Sequence, residues 1–299
     1  MPSAFEQLCA RVHALHAMPT VPAIIQPLAA ALHQPADRVD MEKIVDLVSR
    51  DSSIAAQCLR IANSPLFGRR NTETVRSAVL ALGLKRTEAV LLGCSLNQVV
   101  APEKWVFEAI TYWRHSMGCA LVCSWLAKLI GYPDPEKVYL GGLLHDVGIL
   151  VNCMGCTEEF KRCIQTAREA RRPLHEIEQQ QLGFTHCQSG AVLAKQWNFP
   201  PDLIEVIEFH HDITKAPPER PLIWIVHLGD LLCRVRQLGY GYYEAVAVDL
   251  AGSEAWTRMV RHFPNLARLD LARLTLDIDG AIEEITQVVD AVFSRPFMH

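Results

Sequence analysis

Seven ionisable residues constrain the fold of this chain more than any other feature: His115, the adjacent pair His145 and Asp146, His186, the adjacent pair His210 and His211, and Asp230. His115 stands in WRHSMGCALVCSWLA and the first pair stands in VYLGGLLHDVGILV. Both stretches are strongly apolar, and ionisable groups are rare in such surroundings unless they are paired or bound to a metal. Imidazoles and carboxylates delivered by several separate helical segments are what a buried site for one or two transition-metal ions needs.

The periodicity of apolar positions is helical almost everywhere, with no convincing alternating strand, so the fold is expected to be all-α. Asp51 is placed to cap a helix over SSIAAQCLRIAN, which should end at the turn-forming stretch NSPLFG. Further helical patterns follow in TVRSAVLALGL and KRTEAVLLGCSLNQVV before Pro102 interrupts the run. A boundary at that proline divides the chain into an N-terminal helical part, 1–102, and a second part, 103–245, that holds all seven residues of the series. Residues 246–299 read as closing helices, ending in DGAIEEITQVVDAVF with its spaced apolar positions.

Local signals say how the ligands are presented. Thr185 and Gln188 fit a capping box, which places His186 in the first turn of a helix through SGAVLAKQW. Pro200 and Pro201 mark the start of the next helix, DLIEVIEFHH, which ends at His210 and His211. Adjacent helical residues point about 100° apart. The doublet can therefore offer one imidazole to each of two ions, or one to metal and one to a substrate. Asp230 follows the apolar turn WIVHLG, where a carboxylate is costly without a cation or a donor. His227, three residues earlier, is read as a spectator or an outer group behind the ligands. His13, His16, His33, His175 and His262 are read as surface or packing residues.

Charge and composition narrow the partners. A formal net charge of −4 offers no global positive field to collect nucleic acid. The doublets Arg69–Arg70 and Arg171–Arg172 read as solvated loop or helix-end residues. No stretch reaches the roughly 18 to 20 uninterrupted apolar residues of a membrane-spanning helix, and the N-terminus lacks the layout of a secretory signal. No membrane partner is expected, and the expected location is the cytoplasm. Ten cysteines scattered through apolar patterns suit buried reduced thiols better than a disulfide framework. Cys153, Cys156 and Cys163 have spacing open to zinc or redox chemistry, but no second CxxC pair completes a structural zinc site.

Beyond these local readings, the chain resembles the HDOD family, the HD-related output domain of bacterial signalling proteins. The resemblance covers nearly the whole sequence. It is carried by MPTVPAIIQPL, VSRDSSIAAQCLRIANSPLFG and TVRSAVLALGLKRTEAVLL in the first part, and by YWRHS, GGLLHDVGIL, LGFTHCQSGAVLAKQWNFP and IEFHHD in the second. It implies a two-lobed all-helical protein whose second lobe is related to HD-domain phosphohydrolases. By similarity to the wider superfamily, which includes the HD-GYP enzymes that hydrolyse cyclic di-GMP, His115, His145, Asp146 and Asp230 would bind one metal ion. Asp146 would bridge it to a second ion held by His186, His210 and His211. Two departures stand out: the lysine of those enzymes' HDxGK pattern is Ile149 here, and IEFHHD runs into ITKAPPERP with no GYP motif.

Mixed imidazole and carboxylate ligation favours iron, manganese, zinc or nickel, so one or two such divalent ions are the expected cofactor. Two functions follow. One is a signalling output module that keeps an HD-type metal site and acts through contacts with signalling proteins. The other is a metal-dependent phosphodiesterase acting on a nucleotide such as a cyclic dinucleotide, with Asp146 at its catalytic centre.

Overall fold

The computed structural model describes residues 41–49, 52–63, 72–83, 100–235, 238–239, 252–266 and 276–283, with isolated positions at 6, 10, 87, 91 and 286. Among the described residues the regular structure is helix, with no strand. The all-α expectation is met. The proposed cap at Asp51 and the helix after Lys85 fall mainly outside the described residues, as do His13, His16, His33, Arg69 and Arg70.

Among the described residues the N-terminal group consists of α1 (Met41–Ser49), α2 (Ser52–Ala62) and α3 (Val75–Leu82), packed on one another. Thr74 begins α3 with a capping box, its hydroxyl accepting from Ser77 N–H. Asn63 ties the end of α2 to the approach of α3, donating from Nδ2 to Thr72 O at 2.9 Å and accepting from Thr72 N–H at 2.8 Å.

After a short 3-10 turn at Pro102–Lys104 the chain enters α4 (Ala109–Ile130), the axis of the second part. Its 22 residues span about 33 Å at the α-helical rise. Apolar and small residues surround it on every side, and most of its positions are buried, as expected for a helix covered all round rather than along one stripe. Gly131 stops it in the left-handed conformation at φ 71°, with Tyr132 N–H returning to Ala127 O. The chain continues through α5 (Pro135–Leu144), α6 (Val147–Gly155), α7 (Thr157–Ala170), α8 (Leu174–Gln181), α9 (His186–Gln196), α10 (Pro201–Phe209), α11 (Pro221–Val235) and α12 (Glu254–His262). Helices α5 and α11 flank α4, α9 lies against α6 and α10, and α12 packs on α11.

Three glycines set how closely these helices approach. A Cβ at Gly142 of α5 would sit 2.8 Å from Ala120 Cα, and one at Gly229 of α11 would sit 2.2 Å from Cys123 Sγ. Both contacts press a neighbour onto α4. The tightest crossing is between α6 and α9, where a Cβ on Gly148 would lie 1.7 Å from the carbonyl oxygen of His186. Only hydrogen fits there. Pro135–Gly155 has the length and mean apolarity of a membrane-crossing helix, but most of it is buried inside the fold and the chain turns at His145–Asp146.

Candidate metal centre

Each residue of the series sits at a helix end or on a buried helix face. His115 projects from α4 and Asp230 from α11, while His145 and Asp146 form the turn between α5 and α6. Thr185 caps α9 through the predicted capping box with Gln188, so His186 is its first residue. His210 closes α10, which Pro201 begins, and His211 follows. His115, His145, Asp146, His186, His210 and Asp230 are each no more than 2% exposed.

Four imidazoles of the series converge on Asp146. Its Oδ2 lies 3.2 Å from His145 Nε2 and 3.5 Å from His115 Nε2. Its Oδ1 lies 3.2 Å from His210 Nε2 and 3.3 Å from His186 Nε2. One carboxylate thus faces two pairs of imidazoles, one pair per oxygen. Asp230 joins the first group, with Oδ1 3.3 Å from His115 Nε2, and its Oδ2 stands 3.8 Å from His211 Nδ1.

The far side of each ring explains its orientation. Nδ1–H of His115 donates to Leu238 O at 2.7 Å, that of His145 to Gly142 O at 2.7 Å, and that of His210 to Ile207 O at 3.0 Å. A carbonyl can only accept, so each Nδ1 carries a proton, and a ring that has given up its second proton presents the Nε2 lone pair to the centre. His186 is held by a carboxylate instead, with Nδ1 2.6 Å from Glu178 Oε2, which also accepts from His186 N–H at 2.9 Å. Asn152 donates to the other oxygen of Glu178 at 2.9 Å. Arg234, one turn after Asp230, donates to its Oδ2 at 2.5 Å. His227 donates from Nδ1 to His210 O at 2.6 Å, which makes it an outer support of the ligand set.

These residues fit metal ions. Bonds of about 2.0–2.2 Å at tetrahedral or octahedral angles give ligand-to-ligand edges of about 3.0–3.5 Å, the spacing found around Asp146. His186 Nε2 is buried and makes no hydrogen bond, although Asp146 Oδ1 is 3.3 Å away. Two groups can each hold an ion: His115, His145 and Asp146, and His186, Cys187, His210 and His211.

Without ions, protons carry the balancing charge. Burial, the largest influence on Asp146, raises its pKa, yet His145, His115 and His186 together hold it well below the usual carboxylate range. Burial alone would lower His145 and His210, but Asp146 and the neighbouring thiols Cys119 and Cys187 push them up to about 9 and about 10. His211 goes the other way: burial and the adjacent His210 keep it well below its ordinary value. Among the thiols, burial drives Cys58, Cys153 and Cys163 up to about 12. Cys187 is opposite, because His210 and His186 outweigh burial and draw it down to about 6.

Several members of the site were not anticipated. His175, read as surface or packing, stacks on His211 with ring centroids 4.5 Å apart. Glu178, Arg234 and Cys187 were not singled out at all. The signal for Glu178 lay in its place four residues after Leu174, on the buried face of a short helix. Arg234 follows Asp230 by one helical turn, the spacing of an ion pair. Ile149, where a phosphate-contacting lysine would stand, is fully buried in apolar core. Cys153 and Cys156 are buried as well, the Cys156 thiol donating to Asn152 O at 3.4 Å.

A family model described as HDOD domain matches residues 18–213. The structure is similar to that of an HDOD domain protein of unknown function from Geobacter sulfurreducens, with TM-score 0.78 and 27% identity over 95% of this chain and 98% of that one. In sequence it is 27% identical over 222 residues, 73% of the chain, to an uncharacterized protein of Treponema pallidum (strain Nichols). It is 28% identical over 154 residues, 52% of the chain, to Ribonuclease Y of Lawsonia intracellularis (strain PHE/MN1-00). The aligned regions span 42% and 22% of those two curated relatives.

Proposed function

The chain belongs to the HDOD domain family, and from that premise we propose that it is a bacterial signalling output module built around a metal-holding HD-type centre, acting through contacts with signalling proteins. The observation that carries this reading is the closure of the centre. Its six principal ligands are buried to 2% exposure or less, and Arg234, itself only 17% exposed, is paired with Asp230. A phosphodiester would have to reach ions behind that wall. The position after the His-Asp pair that would supply a cation to phosphate is the buried Ile149. Ions held there would cross-link α4, the α5–α6 turn, α9, α10 and α11, coupling the surface of the lobe to the state of one buried site.

A second reading is supported by the symmetry of Asp146, whose two oxygens each face two imidazoles, and by the likeness to a ribonuclease over half of the chain. In that reading the protein is a metal-dependent phosphodiesterase acting on a nucleotide. When bound, two ions would supply a hydroxide at neutral pH and Lewis-acid stabilisation of phosphoryl charge. The chain's own part would be to orient the rings by their Nδ1–H bonds and to present His211 and His175 at the edge of the site.

Elemental analysis of untagged protein prepared without chelator, with a survey of phosphodiester hydrolysis, tests both readings. The module is expected to carry iron, manganese, zinc or nickel and to show no turnover above background. Protein that neither carries nor takes up these metals at micromolar levels would sink both readings. Turnover abolished in Asp146→Asn would establish the enzyme, whereas turnover that survives the substitution would place the chemistry elsewhere.

For the partner we propose the N-terminal part, 1–102, together with the surface it forms with the second part, because its family-type stretches contain none of the seven ligands. A pull-down comparing the whole chain with one beginning at Pro102 checks this. A folded shorter chain that keeps every partner would rule it out.

A further inference from the structure

We propose that Cys187 is a ligand of the ion on the Oδ1 side of Asp146, so that this half of the centre is a thiolate site as well as an imidazole site. The inference rests on the reading of the centre as metal-binding and adds to it a residue and a metal preference. Cys187 Sγ lies 3.9 Å from His210 Nε2. Sγ and the ring nitrogens of His186, His210 and His211 all lie within 4.8 Å of one another. A sulfur bond of about 2.3 Å and a nitrogen bond of about 2.0–2.1 Å at the tetrahedral angle give an edge of about 3.6 Å, so a modest widening accommodates the observed spacing.

A second observation points into the same space. His186 Nε2 is fully buried, its ring is locked from behind by Glu178, and Nε2 makes no hydrogen bond. A nitrogen so placed, with Asp146 Oδ1 3.3 Å away and a sulfur and two further imidazoles around it, has the surroundings of a metal ligand. Other described thiols have different surroundings. Cys123 donates to Ile225 O at 3.8 Å, Cys156 to Asn152 O at 3.4 Å and Cys163 to Gln181 Oε1 at 3.4 Å. Cys119 lies 3.7 Å from Cys123, beside the other half of the centre, and is the rival ligand to exclude.

Binding forms the sulfur–metal bond and breaks the S–H bond, with the proton leaving to solvent. A soft thiolate directs this half toward zinc or ferrous iron and away from magnesium and manganese, which prefer oxygen. The other half, with two carboxylates, keeps harder ligands. The two positions are therefore expected to differ in which ion they hold.

The test uses the untagged full chain loaded with cobalt(II) chloride and, separately, with zinc chloride. Wild-type protein is expected to show a near-ultraviolet thiolate-to-cobalt charge-transfer band, and zinc X-ray absorption is expected to show a sulfur neighbour at about 2.3 Å. Both signatures should disappear in Cys187→Ala and persist in Cys119→Ala, while visible bands of imidazole-bound cobalt remain in both. Metal bound with no sulfur signature, or a signature lost in Cys119→Ala rather than Cys187→Ala, would overturn the thiolate and leave the metal centre standing. Failure to bind either metal would overturn the centre itself. If the Cys187 variant does not fold, wild-type zinc absorption still decides, because a shell of nitrogen and oxygen alone refutes the proposal.

Discussion

The two halves of the centre share Asp146 and differ in almost everything else. On the Oδ2 side, His115 and His145 meet a second carboxylate, Asp230, whose charge is partly answered by Arg234. On the Oδ1 side, His186, His210 and His211 stand with Cys187, and the supporting carboxylate, Glu178, is behind a ring rather than in front of it. The first half can attract an ion with direct negative charge. The second depends on Asp146 and on how basic Glu178 makes His186. The lesson is that one carboxylate can face two unlike groups of side chains, because the helices around it carry different outer groups.

The comparison breaks most completely at the shared residue. Asp146→Asn keeps the side-chain volume and removes the charge both halves use. Affinity for both ions is expected to fall further than the about 10–100-fold typical of losing an outer partner. Titration calorimetry with zinc measures this, and loss at one half only would show that Asp146 does not bridge.

Gly148→Ala comes next. A Cβ there overlaps the His186 carbonyl at 1.7 Å, and backbone must move to relieve it. Overpacking of this kind costs about 1–3 kcal/mol, and contact with backbone places it at the upper end. Thermal unfolding of the metal-free protein should show that loss, accompanied by weaker binding at the His186 half. An unchanged melting temperature would mean that α6 and α9 do not cross this closely.

Glu178→Gln separates the halves. The amide preserves size but removes the charge that holds Nδ1–H of His186, so affinity at the second half should fall about 10–100-fold while the first half stays unchanged. Equal losses at both halves would mean that Glu178 does not act on the second half alone.

The smallest effect is on pH dependence. A histidine whose folded pKa is above its unfolded value of about 6.5 stabilises the fold fully below that pH and loses the contribution as pH rises through the folded value. For His145, pushed up to about 9, and His210, pushed up to about 10, the loss falls between neutrality and pH 10. Metal-free protein should therefore melt progressively lower across that window, and ion uptake at neutral pH should release protons. Calorimetry in buffers of different ionisation enthalpy would detect the release, and its absence would mean that the rings are already neutral.

What the sequence determined by itself was local. Helical periodicity, the capping box at Thr185 and Gln188 and the proline at the start of α10 follow from neighbours a few residues apart, and they placed His186, His210 and His211 at helix ends. The apolar settings of His115 and the His145–Asp146 pair marked those groups as needing partners, since a buried charge without one is prohibitive. Which partners they found was decided by tertiary structure alone. Glu178 is eight residues from His186 and Leu238 is 123 residues from His115, and nothing short-range links them. The helices that carry the series approach to backbone contact because positions 142, 148 and 229 are glycines, a distance set by what a Cβ would strike on another helix. The division of the site into two unlike halves has the same origin: it depends on which outer group each packed helix brings behind a ring.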